Sequence, residues 1–534
     1  MSTFGRTTMR NLRWWYALAL ASAATVLLLP GTPGSAAERA AAPKLIRDVK
    51  TGSDKLGSLT PAAPDPIQDY VQPDTQIEPS IAVNPANPKN VVTVYQEGRI
   101  ADGGDATNGF ATSFDGGRTW KSGELPALTT YPGQGGMFER ASDAVVAFGP
   151  GNVAYANSLV FDFNKDLGLR SGIAVNVSKD GGLHWSPPVI LQDDRLGGLN
   201  DKNWIVVDNS GASGHTKGRV YVVWDRVAPV VYDYCDHDCD RLANWLPNLQ
   251  TVPGLVFPGQ GIGAYPVVLR GGGLGIVMET ITPGVPVPPG PDELDVQAGE
   301  QVFMAAPAAG STPWPAPLVF TPPVEIASNK SNGQPAQRAS EGLPSAAVDP
   351  ASGTIYAAWD DGRYRTDGTN DAVLSRSFDN GVTWTVPQRI NTGSTADHVD
   401  HYSVDVAVGA QGSVHISYRR RDLSGQGPLY TDVIDTDYQR SLDGGSTWTA
   451  PLKVDSVPSN PWYDAFSRAG SFEGDYNQTI SAGGYTYVVR CQGAPAFRGE
   501  PPPLIPNPDG SNTLVLTEAG KGHQHQSAWV ALVQ

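Results

Sequence analysis

Arginine and carboxylate side chains recur together in three short segments of the sequence. The first contains Arg140 and Asp143, the second Arg338 and Glu341, and the third runs from Arg468 to Tyr476. A guanidinium group binds a carboxylate through two parallel hydrogen bonds, so three converging arginines would suit a ligand that carries a carboxylate. We therefore predict a ligand-binding set that consists of Arg140, Arg338, Arg468, Glu341, His401 and Arg363.

The same segments hold residues that could cleave a glycosidic bond. Paired carboxylates serve there as acid and base or nucleophile, and a tyrosine beside a glutamate is a second kind of nucleophile. The predicted catalytic set is Tyr476, Glu473, Asp475 and Asp143. A structural alternative stays open, because neighbouring arginines and aspartates on repeated loops also form ion pairs that only stabilise the fold.

The elements that must position these residues are marked by four copies of one turn pattern. The copies read Ser-x-Asp-x-Gly-x-Thr-Trp, with His for Thr in one of them, and span residues 113–120, 178–185, 377–384 and 441–448. The aspartate accepts backbone N–H groups within a tight turn, glycine supplies a positive φ, and tryptophan packs at the start of the next strand. This pattern predicts structural roles for Asp115, Trp120, Asp180, Trp185, Asp379, Trp384, Asp443 and Trp448.

A second repeat, a pair of apolar strands, comes before each of these turns. Seven such pairs can be aligned on the equivalent apolar residues Val83, Phe148, Val207, Leu269, Val348, Val408 and Ile480. With a third strand, the turn and a fourth strand, each unit makes one four-stranded blade. We predict an all-β propeller with seven blades favoured and six as the alternative.

Strand direction alternates within a blade, so the four turns share one face and the starts of the inner strands share the opposite face. The predicted site residues lie on that second face, together with the further charged residues Glu78, Arg99, Asp201, Lys202, Asp400 and Arg419. The last unit lacks a fourth strand, and residues 43–49 resemble the fourth strands of the other units. We predict that this N-terminal strand joins the last blade and hides two sheet edges.

The N-terminus and the composition indicate an exported protein. Residues 1–37 combine early arginines, an apolar stretch and a small-residue cleavage site, as a signal peptide does. Residues 38–534 then form one domain with a Pro- and Gly-rich insertion region around 227–323. A net charge of -16 argues against nucleic acid as a partner. We expect a secreted monomer that binds an extracellular carbohydrate or glycoprotein and has no membrane contact after cleavage.

Two of the three cysteines, Cys235 and Cys239, lie four positions apart. In an oxidising compartment a local disulfide is the leading interpretation, with a Cys-x-His-x-Cys metal site as the alternative. We predict no cofactor, although the aspartates of this segment leave an unassigned calcium ion open. Cys491 remains unpaired.

The four turns closely resemble the Asp-box, or BNR, repeats of the sialidase superfamily. That resemblance covers nearly the whole mature chain as architecture, and it implies a six-bladed ring, an arginine triad, an Asp acid/base and a Tyr–Glu nucleophile pair. The chain departs from the family in its seven units. No Phe-Arg-Ile-Pro segment appears near the first blade, where Arg99 stands in Gly-Arg-Ile-Ala.

Two functions follow from this resemblance and from the charged face. The first is a secreted sialidase-like glycoside hydrolase that acts on extracellular acidic glycans. The second is a non-catalytic propeller that binds glycan or protein through the same face, because a fold by itself does not fix a function.

Overall fold

The computed structural model describes residues 41–52, 56, 71–164, 168–195, 198–226, 229–246, 254–281, 299–307, 317–333, 337–338, 342–424, 433–467, 470–495, 504–506, 514–516 and 524–534. These residues form an all-β fold with short 3₁₀ helices at Leu242–Asn244, Ala410–Gly412 and Pro461–Tyr463. The predicted signal peptide, residues 1–37, lies outside the described residues. No helix among the described residues has both the length and the apolar character needed to span a bilayer.

The strands are numbered in chain order. They are β1 Leu45–Lys50, β2 Val71–Val83, β3 Val91–Ile100, β4 Asp105–Ser113, β5 Lys121–Glu124, β6 Arg140–Phe148, β7 Ala154–Asn164, β8 Gly168–Ser178, β9 Val189–Asp194, β10 Asp201–Val207, β11 Val220–Asp225, β12 Val230–Cys235, β13 Trp245–Leu246, β14 Gly254–Phe257, β15 Gly261–Val268, β16 Leu274–Ile281, β17 Gly299–Ala306, β18 Val324–Ser328, β19 Gln337–Arg338, β20 Ser345–Val348, β21 Ile355–Asp361, β22 Asp371–Ser377, β23 Gln388–Arg389, β24 Val399–Val408, β25 Val414–Asp422, β26 Ile434–Ser441, β27 Leu452–Lys453, β28 Ala465–Ser467, β29 Gly470–Phe472, β30 Gln478–Ala482, β31 Tyr485–Gly493, β32 Leu504–Pro506, β33 Leu514–Leu516 and β34 Gln526–Val533.

Most strands pair antiparallel in groups that follow the chain. We call these groups sheet 1 (β2–β5), sheet 2 (β6–β9), sheet 3 (β10–β14), sheet 4 (β15–β18), sheet 5 (β20–β23), sheet 6 (β24–β27) and sheet 7 (β30, β31, β34 and β1). Sheets 7, 1 and 2 are further linked by pairings of Thr75 with Gln526 and of Asp105 with Ala141. In its described parts, the Pro- and Gly-rich region 227–323 contains β12–β17, so it contributes strands to sheets 3 and 4.

The sheets pack face to face through apolar side chains. All ten residues of β3 are buried, which requires cover on both faces of that strand. Trp185 of sheet 2 contacts Phe110 of sheet 1 with ring centroids 5.9 Å apart, and Trp384 of sheet 5 contacts Phe303 of sheet 4 at 5.6 Å. The tryptophan of a turn therefore packs against the preceding sheet.

Buried clusters connect each sheet to the next in chain order, and sheet 7 to sheet 1. Tyr487 and Val530 of sheet 7 belong to one cluster with Ile81 and Val91 of sheet 1. Side-chain hydrogen bonds reinforce this contact, because Gln478 Oε1 accepts the Ile81 N–H at 2.8 Å. The first and last sheets are therefore joined by both apolar and polar contacts.

Strand β1 is the outermost strand of sheet 7. It pairs antiparallel with β34, and Lys50 lies opposite Trp529. Buried Arg490 of β31 donates to Asp48 at 2.8 Å, so an ion pair also holds β1 in place. The N-terminal strand thus completes four strands with partners from the C-terminal end of the chain.

The four Ser-x-Asp turns follow β4, β8, β22 and β26 and share one hydrogen-bond pattern. In the first, Asp115 Oδ1 accepts the backbone N–H groups of Arg118 and Thr119 at 2.9 Å, and the Thr119 hydroxyl donates to Asp115 Oδ2 at 2.7 Å. In the third, a hydrogen bond from the Thr383 hydroxyl is the main reason that the pKa of Asp379 is lowered to about 2. Each carboxylate is thus satisfied inside its own turn.

Candidate functional site

The first strands of several sheets, which we call the inner strands, share a β-bulge, where the pairing register shifts. Residues at this bulge have positive φ, with Glu78 at 49°, Asp143 at 45°, Lys202 at 44° and Ser403 at 48°. Positive φ is costly for residues other than glycine, and such strain concentrates at functional sites. A bulge also redirects a side chain out of the normal alternation of a strand. The repeated bulge therefore marks the inner strands as a candidate site.

Two of the three charged bulge residues, Glu78 and Lys202, contact Asp475, which precedes β30 of sheet 7. The Lys202 ammonium contacts Asp475 Oδ2, and Arg338 donates to the same oxygen at 3.1 Å. The backbone N–H of Asp475 donates to Glu78 Oε1 at 2.9 Å. Residues from sheets 1, 3 and 7 and from β19 thus form one buried group. We call Glu78, Asp143, Asp201, Lys202 and Asp475 the central cluster.

The carboxyl groups of the central cluster differ in protonation. Burial raises the pKa of Glu78 to about 8, with Asp143 and Asp475 adding to the rise and Lys202 opposing it. Burial alone would also raise the pKa of Asp475, but Arg338 and Lys202 outweigh burial and lower it to about 2. At neutral pH the cluster therefore holds a protonated glutamic acid next to an ionised aspartate.

Asp143 has a free carboxylate oxygen inside this cluster. Its Oδ1 accepts the Ser142 hydroxyl at 2.8 Å, whereas its buried Oδ2 has no hydrogen-bond partner among the described residues. The charge of Asp143 acts on its neighbours, because after burial it is the largest cause that raises the pKa of Asp201 to about 6. Buried oxygens without partners are rare, so Asp143 is available to a ligand or a water molecule.

Two guanidinium groups lie against one aromatic ring beside the cluster. The side chains of Arg99 and Arg338 approach the Phe472 ring to 4.7 and 4.4 Å. Arg99 lies 3.6 Å from Asp105, whose pKa burial raises to about 7. Arg338 is the more exposed of the two arginines, with 22% of its side chain accessible.

Strands β28, β29 and β19 form a small separate sheet that carries Phe472 and leads into the central cluster. Its β28 strand is fixed to sheet 1, because Gln72 Nε2 donates to the Phe466 carbonyl at 2.7 Å and Gln72 Oε1 accepts the Phe466 N–H. Its β19 strand pairs parallel with β29. This small sheet therefore positions Arg338 and Asp475 next to the inner strands.

A second buried network surrounds Glu473, one of the predicted catalytic residues. The Glu473 carboxylate contacts the Arg419 guanidinium and accepts the Tyr402 hydroxyl at 3.1 Å and the Gln337 amide at 3.2 Å. Burial and the Glu473 charge raise the pKa of Tyr402 well above its usual value. The tyrosine in contact with Glu473 is thus Tyr402.

The structure brings Asp143 and Asp475 together in the central cluster, and the charges of these two residues and of Glu78 also act on Tyr476 beside it. The Tyr476 hydroxyl donates to the Ala144 carbonyl at 3.5 Å, and its ring packs against Trp204 with centroids 5.3 Å apart. Burial raises the pKa of Tyr476 well above its usual value. A nucleophile needs a lowered pKa or a nearby base, so this environment is typical of a core residue.

Three further predicted ligand-binding residues, Arg140, Arg363 and His401, are held by partners of their own. Arg140 donates to Asp102 at 2.5 Å, and Arg363 binds Asp361 through two hydrogen bonds of 2.9 and 2.8 Å. His401 is buried, its ring nitrogen lies 3.2 Å from the Asn370 carbonyl, and burial lowers its pKa to about 3. Arg468 and Glu341 lie outside the described residues.

Glu78 and Lys202 were expected only as charged residues of the same face, although a sequence signal for them exists. Positions 78, 143, 202 and 475 each fall five residues before the equivalent apolar positions 83, 148, 207 and 480. This shared spacing places the four charged side chains at equivalent points of their sheets. Tyr402 and Gln337 have no comparable signal, because only tertiary contacts bring them to Glu473.

A disulfide joins Cys235 and Cys239, and Cys491 is a buried free thiol. Among the described residues, no group of three or more His, Cys, Asp or Glu side chains is arranged to hold a metal ion.

Comparison with known proteins gives distant similarities. No family model matches the chain. A sialidase of Micromonospora viridifaciens is 27% identical over 158 residues, which cover 27% of this chain and 24% of that protein. The match thus spans about a quarter of the length of this curated relative.

Solved structures with similar backbones share little sequence with this chain. A Dyadobacter fermentans protein of unknown function has a TM-score of 0.43 at 11% identity, covering 92% of this chain and 99% of that one. A Penicillium chrysogenum alpha-L-arabinanase has a TM-score of 0.40 at 12% identity, covering 92% and 98%.

Proposed function

We propose that this chain is a secreted sialidase-like glycoside hydrolase that acts on extracellular acidic glycans, with its active centre at the central cluster. The observation that supports this proposal is the close approach of carboxyl groups in opposite protonation states, next to the free Asp143 oxygen. Glycoside hydrolysis needs one carboxyl that gives a proton and one carboxylate that attacks or activates water.

In this proposal Glu78 protonates the glycosidic oxygen of the leaving group. Asp143, with its free Oδ2, is the nucleophile or the base that activates water. Lys202 and Arg338 neutralise Asp475 and keep that carboxylate from competing for the Glu78 proton. Arg338 is the partly exposed cation of the group, so it is the side chain that would receive the carboxylate of an acidic sugar.

We further propose that sheets 1 to 7 are the seven blades of a closed propeller, with β1 in the last blade. The four-stranded antiparallel groups and the contacts between sheets 7 and 1 support this proposal. A closed ring would bring the bulges of these sheets to one axis, where residues from sheets 1, 2, 3 and 7 can act together. Export of a monomer, with residues 1–37 removed, rests on the signal-like N-terminus alone.

The test is release of a fluorophore from a sialic acid conjugate and from a panel of uronic acid conjugates. Glu78→Gln and Asp143→Asn should each abolish most of the release, while Glu325→Gln changes an exposed glutamate on β18 and should not. Circular dichroism of each variant confirms folding. If every conjugate stays at background, or if both cluster variants retain the rate of the unmodified protein, the proposal is wrong.

A second candidate is a non-catalytic glycan- or protein-binding propeller. The observation that favours it is the pairing of Arg140 and Arg363 with the neighbouring carboxylates Asp102 and Asp361, which occupies two of the arginines predicted to bind a ligand. Immobilised acidic glycans would then retain the protein without being cleaved, and Arg338→Ala would release it.

A further inference from the structure

The turn after β12 of sheet 3 has a disulfide where four other turns have a hydrogen bond. In each Ser-x-Asp turn the hydroxyl of the first residue accepts the N–H of the fifth, as in Ser178 with Gly182 at 2.9 Å and Ser377 with Gly381 at 2.8 Å. After β12, the first and fifth residues are Cys235 and Cys239, and their sulfur atoms are bonded. The covalent bond therefore joins the same two positions of the turn.

The backbone of the disulfide turn agrees with that of the other turns at the fourth residue. This residue has positive φ in every case, 76° at Gly116, 78° at Gly181, 61° at Asn380 and 69° at Gly444. Asp238 occupies the fourth position after β12 and has φ of 48°. Aspartate tolerates this conformation better than most residues that carry a side chain. The fifth residue differs, because the glycines of the four Ser-x-Asp turns have positive φ there and Cys239 does not.

A tryptophan closes the disulfide turn as it closes two of the others. The indole N–H of Trp185 donates to the Gly182 carbonyl and that of Trp384 to the Gly381 carbonyl, both at 3.2 Å. After β12, the Trp245 indole N–H donates to the carbonyl of Cys239, the equivalent fifth residue, at 3.0 Å. A short 3₁₀ helix at Leu242–Asn244 fills the extra length before Trp245.

We propose that the Cys235–Cys239 disulfide replaces the carboxylate clamp of a Ser-x-Asp turn and makes sheet 3 sensitive to thiol reduction. The third residue of this turn is His237, which stands where the other turns have the aspartate that accepts two backbone N–H groups. Because histidine has no carboxylate, this turn lacks the clamp of the other turns, and the sulfur–sulfur bond holds it instead. This proposal does not depend on the proposed function.

The chemistry is exchange with a small dithiol such as dithiothreitol. The dithiol gives two electrons and two protons, the Cys235–Cys239 bond breaks into two thiols, and the reductant closes into its own cyclic disulfide. Cys235 and Cys239 are themselves buried, whereas the neighbouring His237 and Asp238 are exposed, so the reductant reaches the sulfur atoms when this part of the turn opens to solvent. A thiol is a weak hydrogen-bond donor and acceptor, and it does not replace the lost clamp.

Cys235 pairs with Val220 of β11, which pairs with Val207 of β10. The disulfide therefore lies at the end of sheet 3 opposite to Asp201 and Lys202, and its reduction is expected to act on the strands next to it.

The experiment compares the full-length protein with and without dithiothreitol by thermal unfolding and by amide hydrogen exchange. Reduction opens the short loop that the Cys235–Cys239 disulfide closes, and this should lower the melting temperature by about 2 °C. Exchange should increase in β12 and β13 but not in β22 or β26, which lead into Ser-x-Asp turns. A Cys491→Ala variant should show the same response, which excludes the buried free thiol as its source.

Two further variants separate the clamp from other effects of the reductant. Cys235→Ser/His237→Asp/Cys239→Gly introduces the first, third and fifth residues of a Ser-x-Asp turn (the restored turn) and should unfold near the oxidised melting temperature whether or not dithiothreitol is present. Cys235→Ala/Cys239→Ala should unfold near the reduced value and ignore the reductant. The inference is wrong if the reductant leaves both exchange and melting unchanged, or if the restored turn is no more stable than the alanine pair.

Discussion

Carboxyl groups at the two ends of the sheets lie in opposite environments. In the Ser-x-Asp turns they are exposed, and hydrogen bonds within the turn hold them ionised, so the pKa values of Asp379 and Asp443 are lowered to about 2. In the central cluster carboxyl groups are buried and compete for a few cations, so burial raises the pKa of Glu78 to about 8.

This difference separates a structural role from a chemical one. A carboxylate satisfied by its own turn needs nothing from other parts of the chain and has no reason to react. A buried carboxyl that depends on residues from several sheets costs stability, and functional sites are where such costs are retained. The predictions below test this comparison, beginning with the largest effect.

Replacing Glu78 should have the largest consequence if the central cluster is catalytic. Glu78→Gln removes the proton donor and should lower kcat/KM by about 10²–10⁴-fold, the range measured for general acids. In the unmodified protein, kcat/KM should fall above pH about 8, where Glu78 loses its proton. That alkaline decline should disappear in Glu78→Gln. A decline that persists in the variant would show that the loss of a proton from another group causes it.

Replacing Lys202 should have the largest effect on stability. Lys202→Met leaves the buried carboxylates of Asp475 and Asp143 with one fewer cation, and breaking a buried ion pair costs about 3–5 kcal/mol in free energy of unfolding. Lys453, which contacts Asp435 with 43% of its side chain exposed, is the matched control, and Lys453→Met should cost no more than about 1 kcal/mol. Urea denaturation of both variants measures the difference, and equal losses would contradict a special role for the cluster.

The sequence predicted the local parts of this architecture well. The turns that carry Asp115 and Asp443, the paired strands and the position of residues 43–49 beside the last sheet all follow from short patterns. Such patterns are local, because a turn or an alternating strand is specified by neighbouring residues. The number of blades stays a prediction, since it depends on how the sheets associate.

The candidate site was less accessible from sequence. The charged residues of the inner strands could be found, but their partners are set by contacts between distant segments, such as Lys202 with Asp475. Proximity in sequence makes Tyr476 the expected partner of Glu473. The structure instead packs Tyr476 against Trp204 and places Tyr402 in contact with Glu473. Adjacency along a chain does not determine which side chains meet in the folded protein.

The pH dependence of stability should show both environments at once. Burial raises the pKa of Glu78 from 4.5 to about 8 and that of Asp105 from 3.8 to about 7. Their contribution to the free energy of unfolding is therefore complete below about pH 4 and is lost as the pH rises to 8. The pKa of Asp379 is lowered to about 2 from 3.8, so its effect is present above about pH 4 and lost toward pH 2.

We therefore expect the melting temperature to be highest near about pH 4 and to decline between about pH 4 and pH 8. Glu78→Gln should flatten this decline and leave the acid side unchanged, whereas Asp379→Asn should do the opposite. A melting temperature that rises steadily from pH 6 to pH 8 in the unmodified protein would contradict the buried, protonated state of Glu78.

The smallest effect is expected at a single Ser-x-Asp turn. Asp443→Ala removes the acceptor of the Ser446 and Thr447 N–H groups, and losing a clamp of this kind should cost about 1 kcal/mol, as for a helix N-cap. Leu442→Ala changes an exposed neighbour in the same turn and is the control. Because this turn lies in sheet 6, its loss should leave the Lys202–Asp475 contact and any hydrolytic rate unaltered. A drop in rate without unfolding would show that the two ends of the sheets are coupled more tightly than their separate hydrogen-bond networks indicate.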